Sequence, residues 1–213
     1  DLDRLNRERE LVGIYLSAHP LDEYQIILEN VCNVKMAELA DLTPLQNRDL
    51  VMGGIVTGVR EGYTKTGKPY GVAKLEDYSG SAEFIFFGNE WVEKKNFFNV
   101  GMFLYMKGKC QPKQWKQDEY EVKVNTIELL SDVKEEVIER LTVSVPLSEI
   151  NDEFIEEFSS LAKAHPGNVL LDFYVRDEEG QHISLTSRKW KINVEKDIIA
   201  YLKSQSMLSY KIN

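Results

Sequence analysis

The sequence of 213 residues is poor in the side chains that carry most enzyme chemistry. It has two cysteines, Cys32 and Cys110, outside any CxxC pair, and three histidines, His19, His165 and His182, at no metal-ligand spacing. P-loop, GxGxxG, HExxH and GxSxG motifs are absent. We therefore expect no catalytic residue, no metal and no cofactor in this chain. Two reduced thiols favour a cytoplasmic protein over a disulfide-linked, secreted one.

Long apolar runs are also missing. No stretch of about 18 apolar residues is present, so no membrane span is expected. The chain opens with Asp1 rather than Met, and no basic segment followed by an apolar one resembles a secretory signal. This beginning suggests a processed product or one part of a longer protein.

Charge is distributed unevenly along the chain, whose net charge is −9. Residues 1–48 carry 5 basic and 9 acidic side chains, and residues 132–213 carry 10 and 15. The middle, residues 49–131, is balanced at 11 of each. An acidic protein does not coat nucleic acid over its whole surface, so the balanced middle region is the candidate for contact with phosphate.

Residues 1–48 are predicted to form a helical connector. Apolar residues at helical spacing indicate an amphipathic helix over 3–17, and a second, short helix over 21–30. The two are separated at Ser17-Ala18-His19-Pro20, because Pro20 disfavours helical backbone before it. A general base needs an orienting partner, and none is identifiable for His19, so we interpret its ring as packing against or capping the break.

Residues 49–131 change to a strand pattern. Strands are predicted over 50–63, 69–78 and 81–88, then a short helix over 89–97, then strands over 100–112 and 120–130 joined by the polar loop KQWKQDE. Glycines inside the first strand would let it bend around a small barrel. This order predicts an OB-fold, a five-stranded, partly open Greek-key barrel.

Residues 132–213 are predicted to be a small C-terminal α/β protein-interaction domain. After an acidic helix, DVKEEVIERL, the pattern has the order β-α-β-β-α-β, with strands at 141–147, 168–175, 181–187 and 207–212 and helices at 149–164 and 195–204. The fold class of the chain is therefore α+β. The acidity of this domain suits a protein partner better than DNA.

OB-folds bind single strands through strands two and three and through the loops that join strands one–two and four–five. Such binding needs aromatic rings for bases and basic side chains for phosphates. The residues that supply both in these places are Tyr63, Lys65, Lys68, Tyr70, Lys107, Lys109, Lys113, Trp115 and Lys116. Alternation places Phe84 and Phe86 on one side of strand three, but whether they or Phe87 are core or stacking residues stays open.

Several segments resemble a known family. ERELVGIYLSAHPLDEY (8–24), GIVTGVREGYTKTGKPYGVAKLEDYSGSAEFIFF (54–87) and SLTSRKWKI (184–192) follow in the order of the alpha subunit of bacterial replicative DNA polymerase III, and the resemblance covers essentially the whole chain. It implies that the OB domain contacts single-stranded template DNA and that the last domain engages the clamp-loader tau subunit of the replisome.

The same resemblance places the catalytic region of this DNA-directed DNA polymerase upstream. The remainder of the polymerase chain would then be a partner of this fragment, which holds no active site of its own. Two other functions stay open. The OB domain could recognise a tRNA anticodon, or the chain could be a protein-interaction scaffold that binds no nucleic acid.

Overall fold

The computed structural model describes residues 19–134 and 136–213, and the helix predicted over 3–17 lies outside them. The chain divides into two compact units, with the boundary between Lys134 and Glu135. Within the described ranges, no helix is both long and apolar enough to cross a bilayer.

The first unit is built on five antiparallel strands. These are β1 (Asp49–Tyr63), β2 (Pro69–Asp77), β3 (Gly80–Phe87), β4 (Phe103–Lys113) and β5 (Lys116–Leu129), in the spatial order β3-β2-β1-β4-β5. The first half of β1 pairs with β4 and the second half pairs with β2, with a register irregularity between Val56 and Gly58. Strand β1 therefore pairs with a strand in each half of the barrel. The predicted fold class is confirmed.

Short helices precede the barrel and pack on it. They are a 3-10 helix (Pro20–Tyr24), α1 (Gln25–Asn30) and two further 3-10 turns (Met36–Ala40 and Thr43–Leu45). A Cβ on Gly53 of β1 would lie 2.6 Å from Leu28 Cδ2, so α1 comes this close because Gly53 has no side chain. Met36 and Leu45 belong to the buried cluster of the barrel. This segment is therefore part of the first unit.

Helix α2 (Asn89–Lys94) and a 3-10 turn (Lys95–Phe97) connect β3 to β4. Trp91 is buried in the barrel core, with its ring 6.0 Å from that of Phe98, and its Nε1–H donates to Glu61 on β1 (3.1 Å). Glu90 accepts hydrogen bonds from both Lys94 and Lys123 on β5, each at 2.7 Å. These contacts fix α2 against the barrel.

Two local predictions were wrong. The loop expected over residues 113–119 is a two-residue turn, Gln114–Trp115, because β5 already begins at Lys116. Glu119 forms ion pairs with Lys113 on β4 and with Lys116 on β5. These ion pairs hold the polar residues of 113–119 in the paired strands. The acidic helix expected after Asp132 is only the short α3 (Leu130–Val133), whose apolar residues are buried.

The second unit has a four-stranded sheet in the order β8-β7-β6-β9. Its elements are β6 (Arg140–Pro146), α4 (Asp152–Ala164), β7 (Pro166–Arg176), β8 (His182–Ile192), α5 (Lys196–Ser204) and β9 (Ser209–Ile212). Strands β6 and β7 are parallel, and the other pairs are antiparallel. The predicted β-α-β-β-α-β order is confirmed.

Both helices lie on one face of this sheet. The burial of β6 alternates, with Leu141, Val143 and Val145 buried towards the helices. On the same face, the ring of Phe158 in α4 meets that of Phe173 in β7 edge-on, with centroids 5.3 Å apart. Apolar residues of both helices thus close one core on one side of the sheet.

Candidate nucleic-acid interface

Strand β3 divides its aromatic residues between the inside and the outside of the barrel. Phe84 and Phe86 are 5% and 3% exposed and belong to the core, whereas Ile85 and Phe87 are 55% and 57% exposed. The separation follows from the period of two along a strand. Phe87 is therefore the phenylalanine that is available to a ligand on the outer face of β2 and β3.

Phe87 is paired with a second, half-buried ring. It lies opposite Tyr70 of β2 in the register, and the two ring centroids are 6.1 Å apart with their planes inclined at 37°. On the other side of Tyr70, Gly62 of β1 leaves room for the tyrosine ring, since a Cβ there would lie 3.2 Å from it. The result is an aromatic platform, Tyr70 and Phe87, on the outside of the barrel.

The β1–β2 hairpin presents two lysines beside this platform. Its turn is closed by hydrogen bonds from Thr64 N–H to the Lys68 carbonyl (2.8 Å) and from Lys68 N–H to Thr64 Oγ1 (3.0 Å). Lys65 and Lys68 are exposed, and no carboxylate of the described residues lies within ion-pair distance of either. Both ammonium groups can therefore meet an anion.

Tyr63 does not join the platform, although the sequence places it next to the same turn. It lies opposite Pro69, one residue away from the Gly62–Tyr70 pair. Because side chains alternate, Tyr63 is directed to the other face of the hairpin. Its ring is 78% exposed, so it can contact a bound nucleic-acid strand only if that nucleic acid passes around the end of the β1–β2 hairpin.

The β4–β5 hairpin carries an exposed tryptophan between two neutralised lysines. Trp115 is 91% exposed. Lys113 and Lys116 each donate a hydrogen bond of 2.7 Å to Glu119, and these bonds lower the pKa of the Glu119 carboxyl to about 2. The carboxylate therefore stays ionised and competes with a phosphate for both lysines. The hairpin offers a stacking ring with little free positive charge.

Lys107 and Lys109 form a third, separate group on the outer face of β4. The ammonium of Lys107 lies 5.5 Å from the centre of the Tyr105 ring, and Lys109 is opposite Asp49 in the register. Both pair with the first half of β1, whereas Tyr70 pairs with its second half. The nine predicted residues thus occupy three places rather than one.

Sequence reasoning left out side chains that lie on the same outer face as the aromatic platform. Arg60 on β1 lies opposite Val72 of β2, and Lys74 lies two residues after Val72 on β2; both side chains are exposed. On β3, Ile85 lies between Phe87 and Glu83. Arg60 is paired with Glu83 at 2.7 Å. The available signal was the alternation of β3, since the burial of Phe84 and Phe86 requires Ile85 and Phe87 to face outward.

His19 has a structural role. Its Nδ1 accepts a hydrogen bond from Leu21 N–H (3.2 Å), and its own N–H donates to Asp22 Oδ2 (3.0 Å), which caps the 3-10 helix. Its ring packs 4.5 Å from that of Tyr78, whose hydroxyl donates to Asp22 Oδ1 (2.8 Å). Burial, followed by this bond to Asp22, raises the pKa of Tyr78. The prediction of a capping and packing histidine is confirmed.

The described residues were also compared with the needs of metal and thiol chemistry. Across residues 19–134 and 136–213, no group of three or more His, Cys, Asp or Glu residues is placed to hold a metal ion. Both cysteines are free thiols, and burial raises the pKa of Cys32 to about 12. The candidate interface offers rings for stacking and ammonium groups for phosphates.

Comparison with known proteins assigns a class to each unit. Residues 50–130 match the family model of an OB-fold nucleic acid binding domain. Residues 141–213 match the family model described as DNA polymerase III alpha subunit, C-terminal domain. The first unit thus has an OB-fold and is similar to OB-fold nucleic acid binding domains, and the second unit is similar to the C-terminal domain of DNA polymerase III alpha subunits.

Individual relatives can be aligned with most of this chain. DNA polymerase III subunit alpha of Vibrio cholerae is 26% identical over 94% of this chain, and that of Bacillus subtilis is 24% identical over 95%. That of Treponema pallidum is 30% identical over 45%. The chain spans 17% of the length of the first two. Its similarity to bacterial DNA polymerase III alpha subunits is thereby confirmed.

Proposed function

We propose that this chain is a non-catalytic part of a replicative polymerase alpha subunit that contacts single-stranded template DNA through its OB domain. The observation that carries the proposal is the Tyr70–Phe87 platform, in which Phe87 is exposed and Tyr70 half-buried, beside Lys65 and Lys68, which have no ion-pair partner among the described residues. It lies on the strands and at the loop through which OB-folds bind oligonucleotides. The relatives named as polymerase subunits support DNA as the ligand.

Charge supports the β1–β2 side of the domain as the main contact. Between Arg60 and Tyr70 there are three basic side chains and one acidic one, Glu61, which is engaged by Trp91. Between Lys113 and Glu121 two lysines face three acids. A phosphate is therefore attracted to the first hairpin, while Trp115 on the second hairpin can stack on a base further along the strand.

Two double charge reversals test this assignment, because they change the net charge equally. Lys65→Glu/Lys68→Glu should weaken binding of fluorescent oligo-dT to the 213-residue chain much more than Lys113→Glu/Lys116→Glu. The loss should shrink as salt rises, since each lost phosphate contact removes about 0.7 from the slope of log K against log salt for single strands. Equal effects of the two pairs would contradict the assignment, and absence of binding at low salt would refute the DNA role.

The same titration separates the other candidate functions. A tRNA anticodon module would prefer an anticodon stem-loop over oligo-dT, and a scaffold would bind neither. We favour template DNA because the second unit matches the C-terminal domain of polymerase III alpha subunits and the relatives that align along the chain are such subunits.

For the second unit we propose a protein partner in the replisome, with the clamp-loader tau subunit as the candidate. A cleft of about 670 Å³ lies at the carboxyl ends of β6 and β7, where Leu147 and Met207 are 57% and 53% exposed. Exposed apolar side chains beside an acidic turn suit a partner segment with apolar and basic residues.

Substitution in this cleft tests the partner proposal. Leu147→Asp/Met207→Asp should abolish capture of purified tau by the chain. Ile155→Asp/Leu185→Asp, at side chains 50% and 48% exposed on α4 and β8, changes the net charge equally, is the matched control and should leave capture intact. Loss in the control as well would show that the added negative charge, rather than the cleft, is responsible.

A further inference from the structure

The sheet of the second unit has a face that no helix of that unit covers. Helices α4 and α5 pack on the side of Leu141, Val143 and Val145. The alternate residues of β6, including Arg140 and Thr142, lie on the opposite side. We call this side of the four strands the open face.

The open face is basic within an acidic unit. The register places Lys191 of β8 beside Leu170, and Leu170 beside Arg140 of β6. Lys211 of β9 lies opposite Thr142 on the same face. The only carboxylate that the register places there is Asp172, which is bound to Arg140. Positive charge therefore extends from β8 to β9, about 14 Å at the usual strand spacing.

The acids of the unit lie elsewhere. Helix α4 carries Asp152, Glu153, Glu156 and Glu157, and the β7–β8 turn carries Asp177, Glu178 and Glu179. Negative charge is thus concentrated on α4 and at the turn, whereas the open face is basic; the helices also carry Lys163, Lys196 and Lys203. The formal net charge of the domain does not show this separation. A polyanion that approaches the open face meets the local field there, not the net charge.

The open face also carries one stacked aromatic pair. Tyr174 of β7 and His182 at the start of β8 are stacked, with centroids 4.7 Å apart and planes inclined at 28°. Tyr174 lies between Ser144 and Ser184 in the register, so hydroxyl groups surround the ring. Rings flanked by hydroxyl donors and lysines are the components that sequence-tolerant single-strand binding uses.

We propose that the open face of the second unit is a further binding surface for single-stranded DNA, separate from the OB domain. Lys191 and Lys211 contact phosphates, and the Tyr174–His182 pair stacks on a base. The charge of the face complements a polyanion, and its rings and hydroxyl groups favour a nucleic acid over an acidic peptide. The helix side and the cleft at Leu147 stay available to a protein.

The test uses the 213-residue chain in which Phe87→Ala/Lys65→Glu/Lys68→Glu has disabled the OB platform, so that the remaining binding reports on the second unit. Added Lys191→Glu/Lys211→Glu should lower the affinity for oligo-dT at least tenfold and reduce the salt slope by about 1.4. Lys196→Glu/Lys203→Glu on α5 changes the net charge equally and should have little effect. Equal losses from both pairs, or no loss from either, would overturn the proposal.

A second pair of variants tests stacking without changing charge. Tyr174→Ala should weaken oligo-dT binding about tenfold, whereas Tyr174→Phe keeps the ring and should bind as the parent does. Thermal unfolding followed by circular dichroism checks that both variants are folded. Equal binding by both, or competition by poly-glutamate as effective as by unlabelled oligo-dT, would mean that the face does not recognise bases.

The two proposals fail independently in this design. If the OB variants alone remove all binding and the Lys191/Lys211 pair has no effect in the wild-type chain, the open face is excluded while the OB assignment stands. If the OB variants have no effect and the Lys191/Lys211 pair removes binding, the OB assignment is wrong and the open face is supported.

Discussion

Replacement of Phe87 by alanine separates binding from folding in the OB domain. The side chain is 57% exposed, so less than half of it leaves water when the domain folds. Full burial of such a side chain contributes up to about 3 kcal/mol, and we therefore expect Phe87→Ala to cost about 1 kcal/mol of stability. Phe86→Ala, at a residue 3% exposed, should cost about 3–5 kcal/mol.

The effect of Phe87→Ala on DNA binding should be larger than its effect on stability. Loss of a stacking ring costs about 1–3 kcal/mol per base. Since about 1.4 kcal/mol corresponds to a factor of ten, Kd for oligo-dT should rise roughly 5- to 150-fold. Fluorescence anisotropy of labelled oligo-dT measures this directly, and urea unfolding of the same variant measures its stability.

Phe87→Trp is the matched variant, because it keeps an aromatic surface at the same place. It should bind at least as well as the parent chain. The reasoning would be refuted if Phe87→Ala bound with unchanged Kd, or if Phe87→Trp lost as much affinity as Phe87→Ala. A smaller loss in Tyr63→Ala would agree with its position on the other face of the hairpin.

Two further predictions concern packing and charge. A Cβ on Gly71 would lie 2.3 Å from the buried Trp91 ring, so Gly71→Ala should lower the free energy of unfolding by about 1–3 kcal/mol, measured by urea denaturation. Glu119 should titrate near pH 2 by NMR in the native chain and near its ordinary value of 4.5 in Lys113→Met/Lys116→Met. Because its folded pKa is lowered, its contribution to stability is present above about pH 4.5 and is lost as the pH falls towards 2.

The strand order of the OB domain could be predicted because its signals are local. Alternating apolar residues and turns such as Thr64–Lys68 recur at the expected intervals, and one short helix interrupts them. The hairpin of β4 and β5 was predicted with too long a loop, because the polar residues that extend its strands have no apolar period. They stay in strand through ion pairs to Glu119, which local sequence does not reveal.

The candidate site was predictable in composition but not in arrangement. Tyr63 and Tyr70 flank the same turn, yet alternation directs them to opposite faces. Lys113 and Lys116 count as positive charge in the sequence, yet both are engaged by one carboxylate. Phe87 could be assigned to the outside only once its neighbour Phe86 was known to be in the core.

The sequence by itself determined the α+β fold class, the order of the strands, and the similarity to polymerase alpha subunits. Periodicity and motif order are properties of neighbouring residues, so one chain is sufficient to reveal them. Only the tertiary structure decided which rings share a face, which lysines are free and where the charge of the acidic second unit lies. Those properties depend on strand register and on contacts between distant residues, since a shift of one residue moves a side chain to the other side of a sheet.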